Sequence, residues 1–279
     1  MGAAYAYNAS AHYNSDANYQ AFLALIDSVL DSAGLTQTAD TGQFTGSETR
    51  PANSTAPHYQ LREFGDGLVV KISVGCGTAN TRPMMMFEVG TGSNGSGTIT
   101  GVLAPANSLL GSSTSQNWTS GGGTVYASGG ADDTFTFVVI GDPDIPFAYG
   151  FQRRQDAQGN NVDDGQIALY GPLVPTVFTF DNGSQIGTTT DAKVIWPIHW
   201  PTSGTRRGSD VELYPAVLPW VDPTEYGLGD VFLAYRSGEI GANTAFEATA
   251  FPGKAPRGYI ATGLSLGSGS GLLAIAFDA

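Results

Sequence analysis

Few residues in this chain stand at spacings that do chemistry. Gly263-Leu-Ser265-Leu-Gly267 has the G-x-S-x-G form in which a turn presents a nucleophilic serine. That chemistry needs a helix after the serine and a later histidine; no histidine follows, and Gly-Ser repeats lead into a strand pattern. Gly90-Thr-Gly92-Ser-Asn-Gly95 has the spacing that lets backbone approach a pyrophosphate. It too lacks the helix whose N-terminus would meet the phosphates, because Ser96-Gly-Thr-Ile-Thr reads as strand and turn. His12, His58 and His199 share no metal-ligand spacing, and Cys76 has no second cysteine, so it reads as a small buried apolar residue. The acidic pairs Asp132/Asp133, Asp142/Asp144 and Asp163/Asp164 fall in turn-like segments, where Asp bonds local backbone N–H groups. None follows the calcium-loop pattern, and nothing singles out two acids as a glycosidase pair. The sequence therefore predicts a protein that is not an enzyme, with no catalytic residue, cofactor or metal. Trp196, Trp200 and Trp220 stand among prolines. Their rings suit protein contacts or stacking on host glycans, and equally suit capping the ends of a core.

The elements that would position such residues are mostly strands. One helix is predicted over residues 16–33, where Tyr19, Phe22, Leu23, Ile26, Val29, Leu30 and Ala33 recur on one face. Ser15 or Asp16 caps its start and Gly34 suits the turn after it. Phe22, Ile26 and Val29 form its core face, while Gln20, Asp27 and Asp31 are expected to face solvent or another subunit. The helix is expected to plug one open face of a sheet. Residues 59–64 and 68–74 flank Gly65-Asp-Gly67 as a hairpin. Further short apolar or alternating runs lie at 84–89, 124–126, 134–140, 147–151, 166–170, 177–180, 192–196, 231–235, 246–251, 258–266 and 272–277. The expected fold is mainly β: a sandwich or barrel of about a dozen short antiparallel strands with one N-terminal amphipathic helix. Residues 91–130 read as Gly-, Ser- and Asn-rich loops, and 197–230 as long ordered loops. A compositional change near Gly171-Pro172 divides the chain into 1–171, helix plus β, and 172–279, a C-terminal β region that is either separate or continuous with the first.

Composition narrows the partners. Of 279 residues only 13% are charged, 38 are Gly, and the net charge is −13. Twelve Lys and Arg against 25 acids disfavour nucleic acid and anionic membranes. No run approaches the ~20 apolar residues of a membrane span. The opening Met1-Gly-Ala-Ala lacks a basic start and an apolar run, which predicts synthesis in a cytoplasm without a standard export signal. Scarce Lys and many small neutral polar residues suit a surface that faces neighbouring subunits.

Several stretches resemble a family of tailed-bacteriophage virion proteins. Gly34-Leu-Thr-Gln-Thr-Ala-Asp40-Thr-Gly42-Gln after the helix is similar to that family's "L-x-Q-T-x-D-T-G-Q" opening. Tyr59-Gln-Leu-Arg-Glu-Phe64-Gly-Asp66-Gly-Leu68 resembles its hairpin, with Arg62 in place of an aromatic. Ser93-Asn-Gly95-Ser-Gly97-Thr-Ile-Thr-Gly101 resembles its glycine turn, and Phe151-Gln-Arg153-Arg154-Gln-Asp156-Ala-Gln-Gly159 its "F-x-R-x-x-D-x-x-G". The resemblance implies a virion structural protein made in the host bacterial cytoplasm, of the tail tip, baseplate or an attached fibre. The alternatives are a capsid decoration or head-fibre protein and a host-receptor or glycan-binding module. Its implied partners are other virion proteins and further copies of itself in a ring or trimer.

Overall fold

The computed structural model describes residues 3–7, 15–51, 58–65, 67–76, 83–108, 121–130, 134–140, 147–155, 161–172, 178–179, 185–186, 213–215, 218–219, 226–227, 232–236, 240–241, 244–248, 256–265 and 271–277. In chain order these give β1 (Ala3–Tyr7), α1 (Asp16–Ser32), β2 (Thr36–Gln37), β3 (His58–Phe64), β4 (Leu68–Cys76), β5 (Pro83–Ser93) and β6 (Ile99–Ser108). Then come β7 (Gly121–Gly130), β8 (Thr134–Ile140), β9 (Phe147–Gln155), β10 (Asn161–Pro172), β11 (Phe178–Thr179) and β12 (Gln185–Ile186). The C-terminal part has β13 (Leu213–Pro215), β14 (Leu218–Pro219), β15 (Tyr226–Gly227), β16 (Phe232–Arg236), β17 (Ala245–Ala248), β18 (Arg257–Ser265) and β19 (Gly271–Phe277).

The chain is mainly β, with three open five-stranded sheets and a sandwich-like layering. A first sheet runs β2-β3-β4-β5-β6, a second β1-β7-β8-β9-β10, and a third β13-β16-β19-β18-β17. All the listed pairings within them are antiparallel. None of the sheets closes on itself, so the barrel alternative falls.

Alternation builds the layers. On β4, Leu68, Val70, Ile72 and Val74 share one face and pair with Val89, Phe87 and Met85 on β5. That face meets Val125, Ala127, Phe135, Phe137, Tyr149 and Phe151 of the second sheet in one buried core. Phe87 sits at its centre, stacked on Tyr149 at 4.5 Å between ring centroids. The second sheet's other face meets the third sheet, where the Tyr126 and Phe277 rings lie 4.7 Å apart.

The helix joins the first core. Ser15 Oγ accepts from the backbone of Asn18 at its start. At its end Gly34 takes φ +76 and Leu35 N–H returns to Leu30 O at 3.1 Å. Tyr19, Phe22, Leu23, Ile26, Val29 and Leu30 are buried together with residues of both sheets.

Two loop readings are corrected. Residues 91–130 are not loop throughout: β5 runs to Ser93, and β6 and β7 occupy 99–108 and 121–130. Their Gly-rich sequences lack alternation because close approach, not side-chain burial, selects them. At Gly129 a Cβ would run into Leu35. Within 197–230, β13, β14 and β15 add short ladders. β1 also escaped the pattern, being five residues of alternating Ala and Tyr against Gly121-Gly-Gly123.

Candidate functional site

The polar residues of β3 make the most elaborate constellation. Its pairing with β4 sets His58, Gln60, Arg62 and Phe64 opposite Val74, Ile72, Val70 and Leu68, so three polar side chains point into the core face. Arg62 is buried, with only 2% of its side chain exposed. Its guanidinium ion-pairs through Nη2 with Asp27 and through Nη1 with Asp31 at 2.5 Å. Nη1 also donates to Leu35 O at 3.0 Å, and Nε and Nη2 donate to Gln60 Oε1. All three guanidinium nitrogens are therefore satisfied, the condition for keeping a charge out of water. Asp27 and Asp31 sit at i and i+4 on α1, a spacing that repels in an isolated helix. Arg62 between them reverses that.

This overturns the expectation that Gln20, Asp27 and Asp31 face solvent or another subunit. Asp27 also accepts from Gln60 Nε2 at 2.7 Å. Gln20 Nε2 donates to the carbonyls of Ser47 and Glu48. The helix carries Ala17, Ala21 and Ala24 outward because segment 44–50 runs beside it. Gly46 rests on Ala24, and Arg50 N–H donates to Asp16. At the helix's first turns Tyr19 Oη donates to Val74 O at 2.9 Å. With its single proton given there, Tyr19 accepts from His58 Nδ1, 2.8 Å away.

A second knot gathers the residues of the phage-like motifs. The segment 38–44 seals the outer edge of β3. Thr38 N–H donates to Leu61 O and Phe44 N–H to Tyr59 O. Between them Gln43 acts as surrogate backbone: Oε1 accepts from Leu61 N at 2.7 Å while Nε2 donates to Thr38 O and Asp40 O. The Asp40 carboxylate accepts from Thr38 Oγ1 at 2.7 Å, Ser93 Oγ at 2.5 Å and Gly97 N at 2.9 Å. This ties loop 38–44 to the β5–β6 hairpin tip. Tyr59 Oη donates to Thr41 O, and its ring covers Gly97 so closely that a Cβ there would overlap it. Lys71 Nζ donates to Gly97 O at 2.6 Å and lies 4.6 Å above the Tyr59 ring. Asn94 Oδ1 braces the tip by accepting from Ser96 N and Thr98 N.

Burial pushes the Asp40 carboxyl upward, but the hydrogen bonds from Ser93, Gly97 and Thr38 outweigh it and hold it below the usual carboxylate range. Its stabilising contribution is then full above the ordinary carboxyl value and lost as pH falls through the lowered one. Asp40→Asn should lower the urea midpoint at neutral pH, and the gap to wild type should close in acid. A gap that is independent of pH would show that charge plays no part.

Both constellations are saturated from within. Donors and acceptors that could polarise a substrate instead join one segment to another. Glu88 on the outer face of β5 is raised by burial, partly offset by Lys71, whose nitrogen points to Gly97.

The residues singled out by sequence pattern lie elsewhere. Phe22, Ile26 and Val29 are in the first core. Trp196, Trp200 and Trp220 lie outside the described residues, as do Trp118, His12, His199, Asp132, Asp133, Asp142 and Asp144. Gly90 and Gly92 are in strand β5, and Ser265 pairs with Leu272 inside a ladder. Neither segment is followed by a helix start. Arg62, Gln60, Gln43 and Asp40 were passed over as site residues. The available signal was an Arg on the inward parity of a hairpin strand, together with two acids one turn apart on the helix. No family model, curated protein or solved structure matches the chain.

Proposed function

We propose that this chain is a structural subunit of a tailed-bacteriophage particle, belonging to the tail tip, baseplate or an attached fibre. It acts by packing against neighbouring subunits. The observation that carries this reading is the destination of its polar chemistry. Asp27, Asp31, Arg62, Asp40, Gln43 and Lys71 all bond other parts of the same chain. The knot around Asp40 is assembled from three of the four phage-like motifs, which gives those motif residues a structural task. A charge content of 13% with abundant Gly supports a surface made for neighbours rather than for a diffusing substrate.

Mass spectrometry of washed, purified particles is the test. The expected result is this chain at a fixed multiple of the tail copy number. Its absence would overturn the proposal, and tens to hundreds of copies on the head would reassign it to a decoration role.

A further inference from the structure

The exposed edges of the sheets differ in how they are guarded. An unguarded edge strand offers a row of unpaired N–H and C=O groups to another chain. β2 is two residues long and continues into the segment sealed by Gln43. β1 lies beside α1. β10 carries Asp163 and Asp164 at a break in its register. β13 is three residues ending in Pro215, and β17 carries an exposed Glu247.

β6 is different. It is ten residues long and, among the described residues, hydrogen-bonds only β5. β10 comes near without pairing with it. Val102 on β6 is the one large apolar side chain that the described residues leave exposed, at 49%. Thr100 and Gly101 beside it are also exposed. Between Glu88 and Asp132 the sequence holds no Asp, Glu, Lys, Arg or His. Two register breaks and Pro105 disturb the strand's second half, which leaves residues 99–103 as its pairing segment.

We propose that this segment of β6 pairs antiparallel with β6 of a second copy of the chain. Charge selects the occupant. A chain of net charge −13 repels its own copies over most of its surface. Its long uncharged edge is where two copies approach without that cost. Antiparallel pairing of one strand with itself is two-fold symmetric, so a single segment supplies both halves of the contact. Val102 then packs across the axis instead of standing in water. The inference rests on the reading of the chain as an assembling subunit, and it names the surface.

The test is sedimentation of the purified full chain, wild type against Val102→Lys, with thermal melts of both. Wild type should self-associate. Lysines meeting at the axis should weaken association roughly a hundredfold while the melt is unchanged. Val102→Thr keeps the β-branch without charge and should retain association. Ala21→Lys, on the outer face of α1, should not alter it. A monomeric wild type, or a Val102→Lys chain that associates as wild type does, overturns the proposal. Either result in a chain still found in washed particles removes the edge contact alone. A dimer broken by Val102→Lys, in a chain absent from particles, keeps the contact and removes the particle reading.

Discussion

A chain with Asp27 and Asp31 both replaced by Ala should lose about 3–5 kcal/mol, the cost of leaving a buried charge without its partner. In a protein of this size that is a fall in Tm of roughly 10 °C. The acids themselves are not the buried members: 42% of the Asp27 side chain and 64% of Asp31 are exposed. The cost arises at Arg62, which cannot give up its proton and would keep only Gln60 Oε1 and Leu35 O, both neutral acceptors. Either single replacement should be milder, because the other carboxylate remains. Replacing all three, Arg62→Leu with both Asp→Ala, should bring stability back to within about 1 kcal/mol of wild type or above it, since the desolvation cost disappears with the charge. A double replacement as stable as wild type would mean that water reaches Arg62 and that the helix is held by its apolar face alone.

The parts that were readable from sequence are those governed by periodicity. α1 begins where expected and ends one residue early, because six apolar residues at helical spacing leave a single way to bury them. The β3–β4 hairpin around Gly65 and Gly67 follows from a β-branched run after a glycine turn. β6 and β7 were not readable, since strands of Gly, Ser and Ala are fixed by what lies against them. The polar knots were harder still. Asp27 and Asp31 look like ordinary solvated acids until β3 places an Arg beneath them. That contact spans more than thirty residues of chain and has no local signature. Gln43, whose amide stands in for a strand's backbone, has none either. The departure at Arg62 from the aromatic of the phage-like hairpin was legible. Its meaning, a cation that requires two acids on α1, came only with the fold.

Phe22→Ala should cost about 3–5 kcal/mol, the loss expected when a buried aromatic leaves a cavity that its neighbours cannot fill. Phe22 is 1% exposed in the core where α1 meets both sheets. Those neighbours are themselves fixed: Phe87 is stacked on Tyr149, and Phe64 meets Phe151 edge to face. Relaxation into the void would require breaking these ring contacts, so the cost belongs at the upper part of the range. Ser28→Ala, on the exposed side of the same helix, is the matched control and should stay within about ±0.5 kcal/mol. The two clamps hold different ends of the problem. Arg62 fixes where the helix lies, and Phe22 supplies apolar burial that keeps it there. In Phe22→Ala the ion pairs should therefore survive as the chain weakens, giving a cooperative melt at lower temperature. An unchanged melt would place the helix outside the folding core, and a broad, uncooperative one would show that the Phe22 contact also determines the packing of the sheets.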